Sequence, residues 1–275
     1  GDDPNIKGVF LKGRKVQLSP FAMSQFEVTQ ELYEAVIGNN PSNFQTDVAD
    51  GEIQTLRPVD CITWYDAVNF CNILTELTMG VEHCVYTIEV TEMDDSQMHI
   101  TNATVTLNLS KKGYRLPTEA EFEFAARGGD PTKSEWKYAY AGVQTLNTPS
   151  EFAASTSDDV LLDFAWSTPK YSNNISHEVG KKKPNILELY DMSGNLLEWM
   201  YDWYNINPLI DDNIYSNGDF VVNPLGASTG ESKIRGRGCF NSAEPHTSAV
   251  SLRYFSAPSD IHNYIGFRIV RTITE

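Results

Sequence analysis

The chain has 275 residues, 41% of them hydrophobic and 11% aromatic, enough to bury a substantial core as one large domain or two small ones. Its formal net charge of −16 argues against a phosphate-backbone partner, whose neutralisation needs clustered Lys and Arg; the triplet Lys181-Lys182-Lys183 reads as a solvated loop. No apolar run approaches the ~18 residues that a membrane-spanning helix needs.

Residues 9–28 alternate in strand fashion through Val16, Leu18, Phe21 and Phe26. Thr29 then suits an N-cap, and Leu32, Tyr33, Val36 and Ile37 recur at helical spacing until Gly38-Asn39-Asn40-Pro41 stops the helix. Thr63, with Asp66 three residues on, resembles a capping box for a second helix burying Trp64, Ala67, Val68, Phe70, Cys71 and Leu74. Two strands follow, Cys84–Thr91 and His99–Leu109, joined by the acidic turn Glu92-Met-Asp-Asp-Ser96. Pro117-Thr118 opens a third helix, with Thr118 as cap and Glu121 reaching back to its amide, and Gly128-Gly129 closes it. From Asp130 to Asn185 the sequence reads as long loops, a feature often tied to function. Short strands are expected around Leu196–Trp203, Ile234–Gly236 and Phe267–Thr272.

Several chemistries find no support. The four cysteines, Cys61, Cys71, Cys84 and Cys239, fit no zinc spacing, and a core of this size needs no disulfide framework. Cys61 and Cys71 read as small buried hydrophobes in preference to a disulfide. There is no HxxxH pair. The opening Gly1-Asp2-Asp3-Pro4 lacks a basic or apolar leader, so the chain is expected to begin as a mature or trimmed product.

Four segments in order, Glu27-Val-Thr-Gln30, Gly113-Tyr-Arg-Leu-Pro-Thr-Glu-Ala-Glu-Phe-Glu-Phe-Ala-Ala-Arg-Gly-Gly129, Leu189-Tyr-Asp-Met-Ser-Gly-Asn-Leu-Leu-Glu-Trp199 and Ile265-Gly-Phe-Arg268, resemble the formylglycine-generating (sulfatase-modifying) family. The resemblance spans Val16 to Arg271. It implies a single α+β domain over residues 1–275 with a C-type-lectin-like fold: short twisted antiparallel strands, two to three helices, long loops and paired termini, with Val16–Leu18 against Phe267–Arg271. The family's oxidases hold copper with two cysteines after an Arg-Gly-Gly-Ser-Trp-like motif. Here that stretch is Ile234-Arg-Gly-Arg-Gly-Cys-Phe-Asn-Ser-Ala-Glu-Pro-His-Thr247, with Gly236 and Arg237 in reverse order. Aligning Gly238 and Phe240 places Ser242 and Thr247 where the thiols belong, and hydroxyls are not soft ligands for copper(I). The resemblance therefore implies no catalysis and no required cofactor. It also implies calcium at the 189–199 turn, held by Asp191, Glu198 and the carbonyls of Gly194 and Leu196, a hard oxygen set. The alternative is that Glu198 pairs with an arginine in the core.

The segment 239–264 lacks Lys, Gln, Met and Trp and mixes Tyr, Phe, His, Ser, Asn and Asp just before Ile265-Gly-Phe-Arg268. In this it resembles the variable proteins of diversity-generating retroelements, which share the lectin-like scaffold; Glu244 alone falls outside their residue set and is expected to be a scaffold position. The resemblance implies a ligand-binding surface made by Phe240, Ser242, His246, Leu252, Tyr254, Phe255, Ser256, Ala257, Asp260, His262, Asn263 and Tyr264. Tyr and Phe supply rigid contact area there, while Ser, Asn and His supply adaptable hydrogen bonds. Most of the twelve are expected to face solvent, with Arg253, Ile265, Phe267 and Ile269 anchored or buried. The expected ligand is a protein or glycan on another cell, with no nucleic acid. The expected location is extracellular or the bacterial cell surface, with a lipid anchor on a removed N-terminal segment. Two alternatives stay open: an oxidase with displaced cysteines, and a non-catalytic accessory protein of the same family.

Overall fold

The helices begin where side-chain oxygens can take up amides that would otherwise lack partners. In the computed structural model, which describes residues 8–10, 15–143, 159–205, 220–242 and 245–273, Thr29 caps α1 (Gln30–Ile37) and Gly38, at φ 91°, ends it. Thr63 and Asp66 form a reciprocal box at α2 (Trp64–Thr78), and Thr118 and Glu121 form another at α3 (Glu119–Ala126). All three starts are those the sequence led us to expect. What the pattern did not show is that α3 is buried almost all round, its glutamates included. Arginines make that burial tolerable: Arg115 holds Glu121, Arg127 holds Glu123 and Arg253 holds Glu119.

The strands are short: β1 (Val16–Gln17), β2 (Phe21–Met23), β3 (Tyr86–Met93), β4 (Ile100–Leu107), β5 (Tyr114–Arg115), β6 (Leu197–Trp203), β7 (Val221–Val222), β8 (Lys233–Gly236), β9 (Tyr254–Ser256), β10 (Ile265–Gly266) and β11 (Val270–Thr272). Among the described residues they form a β3–β4 hairpin, a β1–β7 pair, a β2-β11-β5 sheet and a β10-β6-β8-β9 sheet. Two expectations need correction. The termini do pair, but through β2 against β11, with Phe21 opposite Thr272 and Met23 opposite Val270. Val16 and Gln17 instead run parallel to Val221 and Val222. The sheets are also not wholly antiparallel, because β10 joins β6 in parallel, Ile265 opposite Leu197. Alternation identifies a strand but carries no information about its partner.

The main core gathers Trp64, Phe70, Trp199, Ile265 and Phe267 from α2, β6 and the C-terminal segment. Tyr33 stacks on Phe70 at 5.5 Å, and Phe267 meets Phe70 edge-on at 5.2 Å. The buried indoles are satisfied: Trp64 Nε1 donates to the Met200 carbonyl and Trp199 Nε1 to that of Ile62. All four cysteines are free thiols. Cys71 is a buried hydrophobe as expected, whereas Cys61 is half-buried in a left-handed conformation at φ 59°. Burial pushes the Cys61 thiol up to about 12, so at neutral pH it is not a thiolate.

Urea unfolding should separate these layers. Phe267→Ala, which empties a fully buried site, should cost about 3–5 kcal/mol, and Thr118→Ala, which removes one cap, about 1 kcal/mol.

Candidate functional site

The 189–199 turn and the C-terminal segment meet in a buried ionic knot. Arg268 Nε and Nη2 donate to the two oxygens of Glu198 at 2.7 and 2.8 Å, with both side chains almost fully buried. Glu27 lies beside them and accepts from Asn195 Nδ2 at 2.8 Å and from the Leu196 amide at 3.1 Å. Asp191 Oδ2 accepts from the Gly180 amide at 2.9 Å. Burial, with the neighbouring carboxylates, pushes Glu27 well above the usual range and Asp191 up to about 6.

This arrangement fits the calcium expectation only in part. Asp191 Oδ1 is buried without a partner, and Asp191, Gly194 and Asn195 take positive φ as the turn bends. Glu198, however, is claimed by Arg268 through both oxygens, which is the alternative weighed in the sequence. Among the described residues no three His, Cys, Asp or Glu side chains converge as a metal cage. A cation here would rest on Asp191 Oδ1 and the carbonyls of Gly194 and Leu196, with Glu198 shared or absent.

The twelve surface residues do not form one surface. Four are buried. Phe240 is 1% exposed, packed edge-on against Phe44 at 5.2 Å, with its amide on the Asn195 carbonyl. Ser242 closes a turn, its hydroxyl accepting the Cys239 amide at 2.9 Å. Leu252 packs with Tyr140 and Ala249, and its carbonyl accepts from Arg237. Ser256 is covered on β9 and bonds Arg235 Nε at 2.7 Å. Composition marks these positions as variable; packing makes them scaffold, because large core changes cost several kcal/mol. The side chain of His246, in the turn Pro245–Ser248, lies outside the described residues, as does Glu244.

The strand period explains the rest. Residues 254–256 form β9, so successive side chains leave on opposite faces. Phe255, 47% exposed, stacks on Tyr204 at 4.2 Å, while Tyr254 leans the other way, toward Arg235. Tyr264 approaches the same guanidinium, and His262 stacks on Tyr264 at 4.8 Å. Asp260 Oδ2 accepts the Ala257 amide at 3.0 Å and so shapes the connecting turn. Tyr254, Ala257, Asp260, His262, Asn263 and Tyr264 are all partly exposed. Beneath them Arg253, Ile265, Phe267 and Ile269 are buried, as expected. The candidate face is therefore Tyr254, Asp260, His262 and Tyr264 around Arg235, a residue the sequence reading passed over. Its signal was positional: it lies two residues from Lys233 on one strand, hence on the same face.

On the same side of β8, deeper in the core, lies a second set of charged groups. Lys233 Nζ donates to the Tyr201 carbonyl at 2.9 Å and sits 3.6 Å from the Trp203 ring centroid and 4.0 Å from that of Trp64. Burial lowers its ammonium to about 7. Asp202 accepts the Glu119 amide at 2.8 Å, and burial with Glu119 nearby raises its carboxyl to about 7. A separate apolar cavity of about 830 Å³, lined by Phe10, Phe21, Phe124, Trp136 and Leu189 among others, includes no residue of segment 239–264.

Comparison with known proteins places this geometry. Residues 10–273 match the sulfatase-modifying factor enzyme 1-like domain, and the chain belongs to that family. It is similar to the chaperone protein LppX of Paenibacillus barcinonensis, 34% identical over 70% of this chain and 65% of that protein, so it spans less than two thirds of that relative. It is 25% identical to the formylglycine-generating enzyme of Bos taurus over 97% of this chain and 70% of the other. Among solved structures, Treponema denticola variable protein 1 superposes with a TM-score of 0.75 at 32% identity, covering 94% of this chain and 87% of that one. The mixed α+β, C-type-lectin-like fold expected from the sequence stands.

Two measurements probe the charged layers. Thermal melting should rise from EDTA to millimolar calcium, by linkage to the native state, and Asp191→Ala should abolish the rise; a parent curve indifferent to calcium removes the cation. Asp202, with its folded pKa raised from 3.8 to about 7, contributes stability that is full below about pH 4 and is lost as pH rises through about 7. Asp202→Asn should flatten that decline in a pH series of urea midpoints.

Proposed function

We propose that this member of the family binds a ligand without catalysis, on a variable surface presented by a lectin-like scaffold and diversified by a retroelement. The observation that carries the reading is the aromatic and polar cluster of Tyr254, Asp260, His262 and Tyr264, partly exposed above buried Arg253, Ile265 and Phe267. Such a face offers rigid rings and adaptable hydrogen bonds, with the inner edges of Tyr254 and Tyr264 resting on the main core. The likeness to Treponema denticola variable protein 1 over 94% of the chain supports the same reading.

The competing reading is a copper oxidase, favoured by the likeness to the Bos taurus formylglycine-generating enzyme. Ser242 and Thr247 at the expected thiol positions weigh against it. Cys239 does not replace them: it is buried, its Sγ donates to Asn241 Oδ1 at 3.0 Å, and burial raises its pKa. The partner we favour is a protein on another cell, with a glycan as the alternative and no nucleic acid. The location is the bacterial surface or exterior, through a lipid anchor on a preceding segment. Among the described residues no helix is long and apolar enough to cross a membrane.

Two outcomes are expected. Incubated with copper(I) and a sulfatase-type cysteine peptide, the protein should form no aldehyde above a metal-free control in mass spectrometry. The combined variant Tyr254→Ser, Asp260→Ala, His262→Ala, Tyr264→Ser should keep a cooperative melt, whereas Leu252→Ala alone should lose about 2–5 kcal/mol. Collapse of the combined variant would mean that the face is core.

A further inference from the structure

Most of the buried and half-buried arginines among the described residues have a committed acceptor. Arg115, Arg127, Arg237, Arg253 and Arg268 each approach a glutamate within 4.0 Å, and Arg57 is bound to the carbonyls of Thr46 and Ser176. Arg235 differs. Its Nε is held by Ser256 Oγ at 2.7 Å. Its guanidinium carbon lies 5.6 Å from the Tyr254 ring centroid and 5.8 Å from that of Tyr264. Among the described residues no carboxylate reaches it within ion-pair distance, Asp260 included, whose Oδ2 is engaged by the Ala257 amide. His262, on the Tyr264 ring, has its pKa lowered by burial and adds no cation at neutral pH. The result is a planar fork, oriented by one hydrogen bond and by aromatic rings, with its terminal N–H groups uncommitted among the described residues, in a partly exposed face.

We propose that Arg235 is a fixed anchor for a carboxylate of the protein ligand, an aspartate or glutamate side chain, gripped by its terminal amino groups while Tyr254, His262 and Tyr264 read the surroundings. Guanidinium geometry matches a carboxylate through two parallel hydrogen bonds, and the flanking rings limit its competition with water. Arg235 lies outside segment 239–264, so a face whose neighbours vary would keep one constant point of contact. This inference deepens the ligand-binding reading and rests on it.

The test uses nuclear magnetic resonance on the whole protein, following the Arg235 Nε–Hε signal, assigned by its disappearance in Arg235→Lys. The probes are the capped peptide Ac-Gly-Gly-Glu-Gly-Gly-NH2, its Gln counterpart and glucuronic acid. The Glu peptide should shift the signal saturably and the Gln peptide should not. Other face resonances should report affinity about tenfold weaker in Arg235→Lys. Ser256→Ala, which frees the fork while keeping its charge, should weaken binding less and guards against loss of fold in the first variant. Equal responses to the Glu and Gln peptides, an undiminished response in Arg235→Lys, or a response to glucuronic acid alone would overturn the proposal. If the Glu peptide fails while the gene copies of this protein still vary only on this face, the anchor falls and the ligand-binding reading stands.

Discussion

One buried ion pair, Glu198 with Arg268, ties the molecule together. Glu198 sits on β6 and Arg268 follows β10, so the pair locks the central sheet to the C-terminal segment at a point 0–1% exposed. Arg268 also donates to the Tyr190 carbonyl and lies over the Phe122 ring of α3 at 5.6 Å. Glu27, from just before α1, completes the knot through Asn195 and the Leu196 amide. All four segments that mark the family in the sequence therefore meet in one place, the one on α3 through the Phe122 ring. The segment on α3 is held in addition by its own arginines, Arg115 and Arg127. Removing one member of such a pair strands a buried charge, at a cost of about 3–5 kcal/mol. These motif residues are the frame of the fold, and their presence carries no implication of catalysis.

A frame built this way leaves one edge of the molecule free for other work. The core side of segment 239–264 is committed: Phe240 against Phe44, Leu252 in an apolar cluster, Arg253 on Glu119. The outer side, from Tyr254 to Tyr264, meets the frame through β9 pairing with β8, through the Tyr254 and Tyr264 rings packed against the main core, and through the carbonyls of Pro258, His262 and Tyr264, which accept the amides of Trp64, Cys61 and Leu197. The hydrogen bonds of the Glu198–Arg268 knot use none of the side chains from Tyr254 to Tyr264, so the knot itself does not require a particular residue at any of these positions. Composition alone drew that boundary too widely, because it does not distinguish a serine that closes a turn from one that faces water.

What could be read in advance was local. Caps at Thr29, Thr63 and Thr118, the glycine stop at Gly38 and the β3–β4 hairpin depend on residues a few positions apart, and all are present. Pairing between distant strands was not legible: Val16 alternates as convincingly as Phe21, yet β2 meets β11 and β1 does not. β9 went unseen because three residues are too few to show a period. That omission put Tyr254, Phe255 and Ser256 on one surface when they leave the strand on two faces. Arg235 was missed for a related reason, since its environment is made by Tyr254 and Tyr264, 19 and 29 positions away.

The most direct measurement is to sequence all copies of this gene in a population of the source organism. If this chain is a ligand-binding scaffold with a variable face, substitutions will concentrate at Tyr254, Phe255, Ala257, Asp260, His262, Asn263 and Tyr264. They will spare Arg235, Phe240, Leu252, Arg253, Ile265 and Arg268. Substitutions spread evenly along the chain, or an invariant 254–264 segment beside variable core positions, would contradict the account.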